Sequence, residues 1–265
     1  MFNKTIIQVW THKTINHHQD NYNGFWGLGD MIRGTIKLYQ LCKEKNYNFI
    51  VDLHLHSISK YLIIENNPYE QLIEDNKNNI ELVFPGNVEN YINMRESSEI
   101  IYFFTNDQCD LNITYDTKEF IKKLLTTNDE FNLYFNSKIN EMPYNNYNII
   151  HFRFGDDELV REIKKDYNTY YNILLKNKED NDILISDSII FKNNIKEKYN
   201  IFIFNTNPQH VGYQKDSDSL KDTLFEFLIM KNATKIKTYS YYGWISGFTF
   251  WISNIYDIPL INMNN

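Results

Sequence analysis

Apolar residues in this chain fall into short runs that end abruptly in polar ones. They alternate with stretches whose apolar positions recur every three to four residues. Residues 5–10 read as a first strand. After a polar, histidine-bearing stretch at 11–23, the turn Gly24-Phe25-Trp26-Gly27-Leu28-Gly29-Asp30 leads into residues 31–45, where Ile32, Ile36, Leu38, Tyr39 and Leu41 mark a helix. Residues 47–57 read as a second strand, 59–82 as a charged helical stretch interrupted by Pro68, and 83–86 as a turn. A buried strand at 99–105 and helices at 117–125 and 131–135 follow. The polar segment 136–148, with Pro143, reads as a linker.

Beyond it the pattern restarts. A strand ending near Arg153 is followed by a helix at 166–176, a strand at 181–188, a helix at 192–199, a strand at 200–205 and a helix at 219–231 carrying Leu220, Leu224, Phe225, Leu228 and Ile229. Alternating β and α segments, with strands ending in polar residues, predict doubly wound parallel sheets. The expected fold class is therefore α/β with two Rossmann-like halves, residues 1–145 and 146–265.

Composition narrows this picture. The 265 residues can bury a substantial core. A net charge of −7, with lysines interspersed among acids, leaves no basic face, so no nucleic-acid partner is expected and an anionic ligand must be met locally. The two cysteines make no disulfide framework and suit a reducing, cytoplasmic setting. The apolar run at the N-terminus is too short for a signal peptide, and no stretch is long enough to span a bilayer, so a soluble protein is expected. Abundant Asn, Ile, Lys and Tyr fit an AT-rich coding genome, such as that of a giant virus or a low-GC bacterium.

The candidate chemistry is concentrated at Ile149-Ile150-His151-Phe152-Arg153-Phe154-Gly155-Asp156-Asp157-Glu158. A buried strand here delivers a histidine, an arginine and three acids to a loop at its C-terminal end, where open α/β sheets bind ligands. An arginine fork matches phosphate oxygens, and a neighbouring carboxylate or histidine can orient it. The same residues also allow a structural ion pair between Arg153 and Asp156.

Two other stretches carry chemistry. Glycines at 24, 27 and 29 before a helix let backbone N–H groups approach an anion, although a dinucleotide fingerprint would need a further glycine where Ile32 stands. Asp52-Leu53-His54-Leu55-His56 would place two histidines on one strand face, as in a metal site. It resembles the opening of PHP-type metal-dependent phosphoesterases, but the later ligands of that signature are missing.

The motif His151-x-Arg153-x-x-Asp156 resembles the His-x-Arg-Arg-x-Asp signature of the fucosyltransferase superfamily, with Phe154 in place of the second arginine. Gly27-Leu28-Gly29-Asp30 is similar to the family's early Gly-Leu-Gly-Asn loop, and Ile185-Ser186-Asp187-Ser188 to its Ser-Asp-Asp. Residues 219–230, with Glu226 four positions before Met230, resemble the helix that meets the guanine nucleoside. Residues 236–248 resemble the turn whose serines contact the donor phosphates.

The resemblance implies a GT-B arrangement with an acceptor-side half, a GDP-sugar-binding half and a cleft between them. It implies inverting, metal-independent transfer of fucose from GDP-fucose to a glycan hydroxyl. Arg153 and Asp156 are then the catalytic candidates, Asp156 as an orienter of Arg153. Donor contacts fall to His151, Arg153, Asp187, Ser188, Glu226, Ser240, Tyr241, Ser246 and Gly247, and cleft-loop contacts to Gly27, Gly29, Asp30 and Arg33. Arg33 and Lys235 are candidates for the missing second cation. No cofactor or metal is expected. Asp30, Asp156, Asp157 and Glu158 qualify by type as the base. The alternatives are a PHP-like phosphoesterase using His54 and His56, or an inactive nucleotide-sugar-binding relative.

Overall fold

The computed structural model describes residues 4–11, 26–155, 158, 166–212 and 219–264. The chain forms two compact units, Met1–Asn128 with Val211–Tyr213, and Asp129–His210 with Gln214–Asn265. Each is built on its own four-stranded, all-parallel sheet.

In the first unit, β1 (Thr5–Val9), β2 (Asn48–Asp52), β3 (Glu81–Val83) and β4 (Ile100–Thr105) lie in the order β2-β1-β4-β3. Helix α1 (Leu28–Lys45) buries Met31, Ile32, Leu38 and Leu41, and Leu38 and Leu41 pack with Ile6 and Phe103 of the sheet. Gly34 makes the close approach possible, since a Cβ there would collide with the Thr105 carbonyl. Where the apolar face of α1 meets polar neighbours, every partner is supplied. Thr35 Oγ1 donates to Gln8 Oε1 (2.6 Å), Gln8 Nε2 to the Thr105 carbonyl (3.1 Å) and Trp10 Nε1 to Thr35 Oγ1 (3.1 Å). Short helices α2 (Glu70–Asp75) and α3 (Val88–Asn93) and the longer α4 (Tyr115–Leu124) complete the unit.

The second unit opens with helix α5 (Asp129–Ile139), before the polar stretch that reads as a linker. The division falls after Asn128 because Tyr134 and Phe135 pack on Phe225, at 5.9 and 5.3 Å between ring centroids, and Tyr134 donates to Asp222. Strands β5 (Asn148–Arg153), β6 (Asp182–Ser186), β7 (Ile236–Ser240) and β8 (Leu260–Asn262) lie in the order β6-β5-β7-β8. Helices α6 (Asn168–Asn177), α7 (Ile189–Lys198), α8 (Ser219–Ile229) and α9 (Gly247–Tyr256) belong to the same unit. Both halves are thus Rossmann-like.

Three expectations are corrected. The second strand stops at Asp52, so His54 and His56 are not alternate residues of one strand; His56 instead caps a 3-10 turn over Ser57–Tyr61. The stretch 59–82 is not one helix, because Pro68 separates that turn from α2 and the last residues form β3. Residues 200–205 form no strand; Phe202 makes a single parallel bridge to Ile183. Among the described residues no helix is long and apolar enough to cross a membrane.

Candidate functional site

In the second sheet, β5 connects onward to β6 on one side, while β7 and β8 lie on the other. The strand order therefore reverses between β5 and β7, and the C-terminal ends of these two strands form the crevice where such sheets take ligands. Register places Arg153 directly opposite Ser240 at that point.

Arg153 is held from the neighbouring strand end. Its Nη1 donates to Asp187, just beyond β6, and the same carboxylate accepts the backbone N–H groups of Phe154 (2.8 Å) and Gly155 (3.0 Å). One carboxylate thus fixes both the guanidinium and the turn that follows it. The turn needs Gly155, whose φ is +94° and whose place is closed by the Tyr242 hydroxyl: a Cβ there would collide with it. The Arg153 carbonyl accepts from the Tyr241 N–H at 2.9 Å, tying the loop after β7 to the same strand end.

Opposite, the Ser240 hydroxyl is buried with no hydrogen-bond partner, an orphaned donor beside an arginine. Its backbone is clasped by Asn264, whose side chain accepts from the Ser240 N–H (3.0 Å) and donates to the Ser240 carbonyl (2.6 Å). His151 lies one turn of the pleat deeper, on Thr238 Oγ1 (3.1 Å) and stacked on Phe248. Burial lowers its pKa to about 4, with Asp187 opposing and Arg153 adding to the shift, so the imidazole is neutral at pH 7. It supports the strand end and adds no charge to it.

The other expected residues are placed as follows. Ser188 is buried as the N-cap of α7, accepting from Phe191 N (3.0 Å) and donating to Glu158, which Tyr167 also engages. Ser246 caps α9, and Gly247 opens it, exposed. Glu226 is turned inward, its Oε1 taken by Lys192 Nζ (3.0 Å) and Thr206 Oγ1 (2.5 Å). Burial still raises its pKa, against the opposing charge of Lys192. Asp156 and Asp157 lie outside the described residues.

The side chain of Phe154, at the position of the second arginine in the motif, takes no polar part in the site. The Phe154 side chain is buried among Tyr170, Phe191 and Tyr167, with ring centroids at 4.6, 4.9 and 5.4 Å. Lys235 cannot serve, because it precedes β7 at the N-terminal end of the strands, away from Arg153, and pairs with Glu179 at 2.7 Å. In the first unit, Gly27 is the N-cap of α1, and Gly29 and Asp30 lie in its first turn. Arg33 pairs with Asp30 (3.1 Å) and donates to the Asn106 carbonyl (2.9 Å).

The two histidines of the metal alternative serve separate ends. His54 is engaged by Asp52 and lies 3.5 Å from Glu74, while His56 Nδ1 accepts from Ile58 N at 3.1 Å. Among the described residues no cluster of three or more potential metal ligands occurs.

No protein-family profile matches the sequence, and no curated protein matches it. Solved structures match the fold. NodZ α1,6-fucosyltransferase soaked with GDP-fucose has a TM-score of 0.57 at 12% identity, covering 98% of this chain and 94% of that one. POFUT1 in complex with GDP has a TM-score of 0.51 at 10% identity, covering 98% of both chains. A mutant of Arabidopsis thaliana FUT1 in complex with GDP has a TM-score of 0.54 at 8% identity, covering 98% of this chain and 70% of that one. The fold is a GT-B-like α/β fold with two Rossmann-like halves. The solved proteins that share it here are fucosyltransferases.

Proposed function

We propose that this chain is a glycosyltransferase that moves fucose from GDP-fucose to a glycan hydroxyl, inverting the anomeric carbon and using no metal ion. The observation that carries the reading is the Arg153–Asp187–Ser240 constellation at the strand-order reversal of the second sheet. The second half binds the donor and the first the acceptor.

The chemistry follows from the charges. As the bond from the anomeric carbon to the pyrophosphate breaks, negative charge grows on the leaving group, and donors already aimed at it lower the barrier. Arg153 supplies fixed charge, and its orientation is set by Asp187 before the donor arrives. The Ser240 hydroxyl exchanges an unsatisfied burial for a hydrogen bond to a phosphate oxygen. His151, kept neutral, does not compete for the anion. The acceptor hydroxyl attacks from the opposite face of the sugar, losing its proton to a carboxylate.

The test is calorimetric titration with GDP, UDP and ADP, with and without EDTA. GDP is expected to bind alone and independently of chelator. Arg153→Ala should weaken it about 30-fold, roughly 2 kcal/mol, as expected for removing a charged hydrogen-bond donor to phosphate. Preference for UDP, or affinity that vanishes with EDTA, overturns the proposal.

A second reading, an inactive relative that only holds nucleotide sugar, is favoured by one observation: the buried Phe154 leaves a single arginine in the motif. GDP binding without turnover of GDP-fucose would select it.

A further inference from the structure

Beside Arg153 the chain displays aromatic surface that the donor chemistry does not use. Tyr242 and Trp244 stack on each other, with ring centroids 5.1 Å apart and planes within 14°. They stay 36% and 65% exposed, on the loop between β7 and α9. Gly243 between them has φ +78°, with open space where a Cβ would be, so glycine is there for the turn and not for packing. That turn brings residues two apart onto one side. The inner ring is anchored, because the Tyr242 hydroxyl packs against Gly155 in the turn after Arg153. One face of the indole is thus backed by an anchored tyrosine, and its orientation is set before any ligand arrives.

An exposed, pre-oriented indole beside a candidate site takes a ligand with a flat apolar face. Residues 241–245 are Tyr-Tyr-Gly-Trp-Ile, whose only polar side-chain groups are two phenol hydroxyls and an indole N–H, with no carboxylate or amide to pair a nucleobase edge bidentately. A pyranose needs no such readout, since one ring face presents C–H groups to the π-surface while its hydroxyls stay in water.

We propose that Trp244, backed by Tyr242, is a stacking platform for a pyranose ring of the acceptor glycan. This rests on the glycosyltransferase reading above and adds to the acceptor contacts of the first half one subsite that the donor half contributes. Trp244 would govern acceptor affinity and leave donor binding untouched.

The molecule supplies its own probe. Of its four tryptophans, Trp10, Trp26 and Trp251 are 0%, 5% and 3% exposed, so acrylamide quenching of native fluorescence reports Trp244. The probes are methyl glycosides and trisaccharides of galactose, glucose, N-acetylglucosamine and rhamnose, added to the whole protein with and without GDP. The expected result is that at least one sugar shields the accessible tryptophan, and that Trp244→Ala removes the quenchable signal. In turnover with that sugar, Trp244→Ala should raise acceptor KM about fivefold at nearly constant kcat, with Trp244→Phe restoring most of the loss. GDP affinity should stay at wild type in both variants. GDP binding with no shielding by any of these sugars overturns the platform and leaves the donor reading standing. Absence of GDP binding overturns the donor reading, and the quenching result still decides whether the indole takes a sugar. Shielding by GDP alone would assign the surface to the nucleotide and end the proposal.

Discussion

At the scale of single residues, the site is set by side chains with one permitted identity. Gly155 must adopt a positive φ and must also leave room for the Tyr242 hydroxyl. Gly155→Ala should therefore cost more than the roughly 1 kcal/mol of an ordinary glycine replacement, because both the backbone and the tyrosine must shift. Its melting temperature is expected to fall, with GDP affinity falling as the Arg153 turn is displaced. His151 gives a pH signature. Its folded pKa of about 4 lies below the ordinary 6.5, so the unfolded chain binds the extra proton between these values. Stability from this group is whole above pH 6.5 and is lost as pH falls toward 4. The loss is on the order of 3 kcal/mol. Denaturant titrations across that window should show His151→Asn to be less acid-sensitive than the wild type.

At the scale of elements, α7, α8 and the segment between them are joined by a buried charge pair. Lys192 is 4% and Glu226 3% exposed, and Thr206 bonds to both. Lys192→Met leaves Glu226 buried without its cation, which should cost about 3–5 kcal/mol, whereas the double variant with Glu226→Leu should recover most of it. A double-mutant cycle by urea unfolding measures the difference. This pairing also marks what the sequence could not convey. Strands that end in charge, and the glycines around them, follow from local pattern, so β5, β6 and α8 were legible, as was the placing of Arg153 at a strand end. The partner of Glu226 lies 34 positions away, and nothing local says that a carboxylate on an amphipathic helix turns inward. The run through His54 and His56 alternates like a strand, yet there the backbone leaves the sheet after Asp52, which accepts the His54 N–H at 3.2 Å. Tyr242 over Gly155 was likewise hidden, since it depends on β5 and β7 being neighbours.

At the scale of the whole molecule, two compact units with separate sheets need not unfold as one. Scanning calorimetry is expected to give a calorimetric enthalpy larger than the van't Hoff value, resolving into two transitions. Because ligand stabilises only the state that binds it, GDP should move the transition of the second unit and leave the other in place unless donor binding couples them. Displacement of the first transition alone would place the nucleotide in the wrong half.

The clasp of Asn264 on Ser240 bears on how variation along this chain should be read. β8 ends at Asn262, and the asparagine two positions on replaces the missing strand with one amide that bonds both polar groups of the Ser240 backbone. A replacement there would loosen the seat of the serine that faces Arg153 while changing no residue that meets a ligand. In a survey of tolerated substitutions, Asn264 would group with the residues of the crevice, although a map of ligand-facing side chains would pass it over.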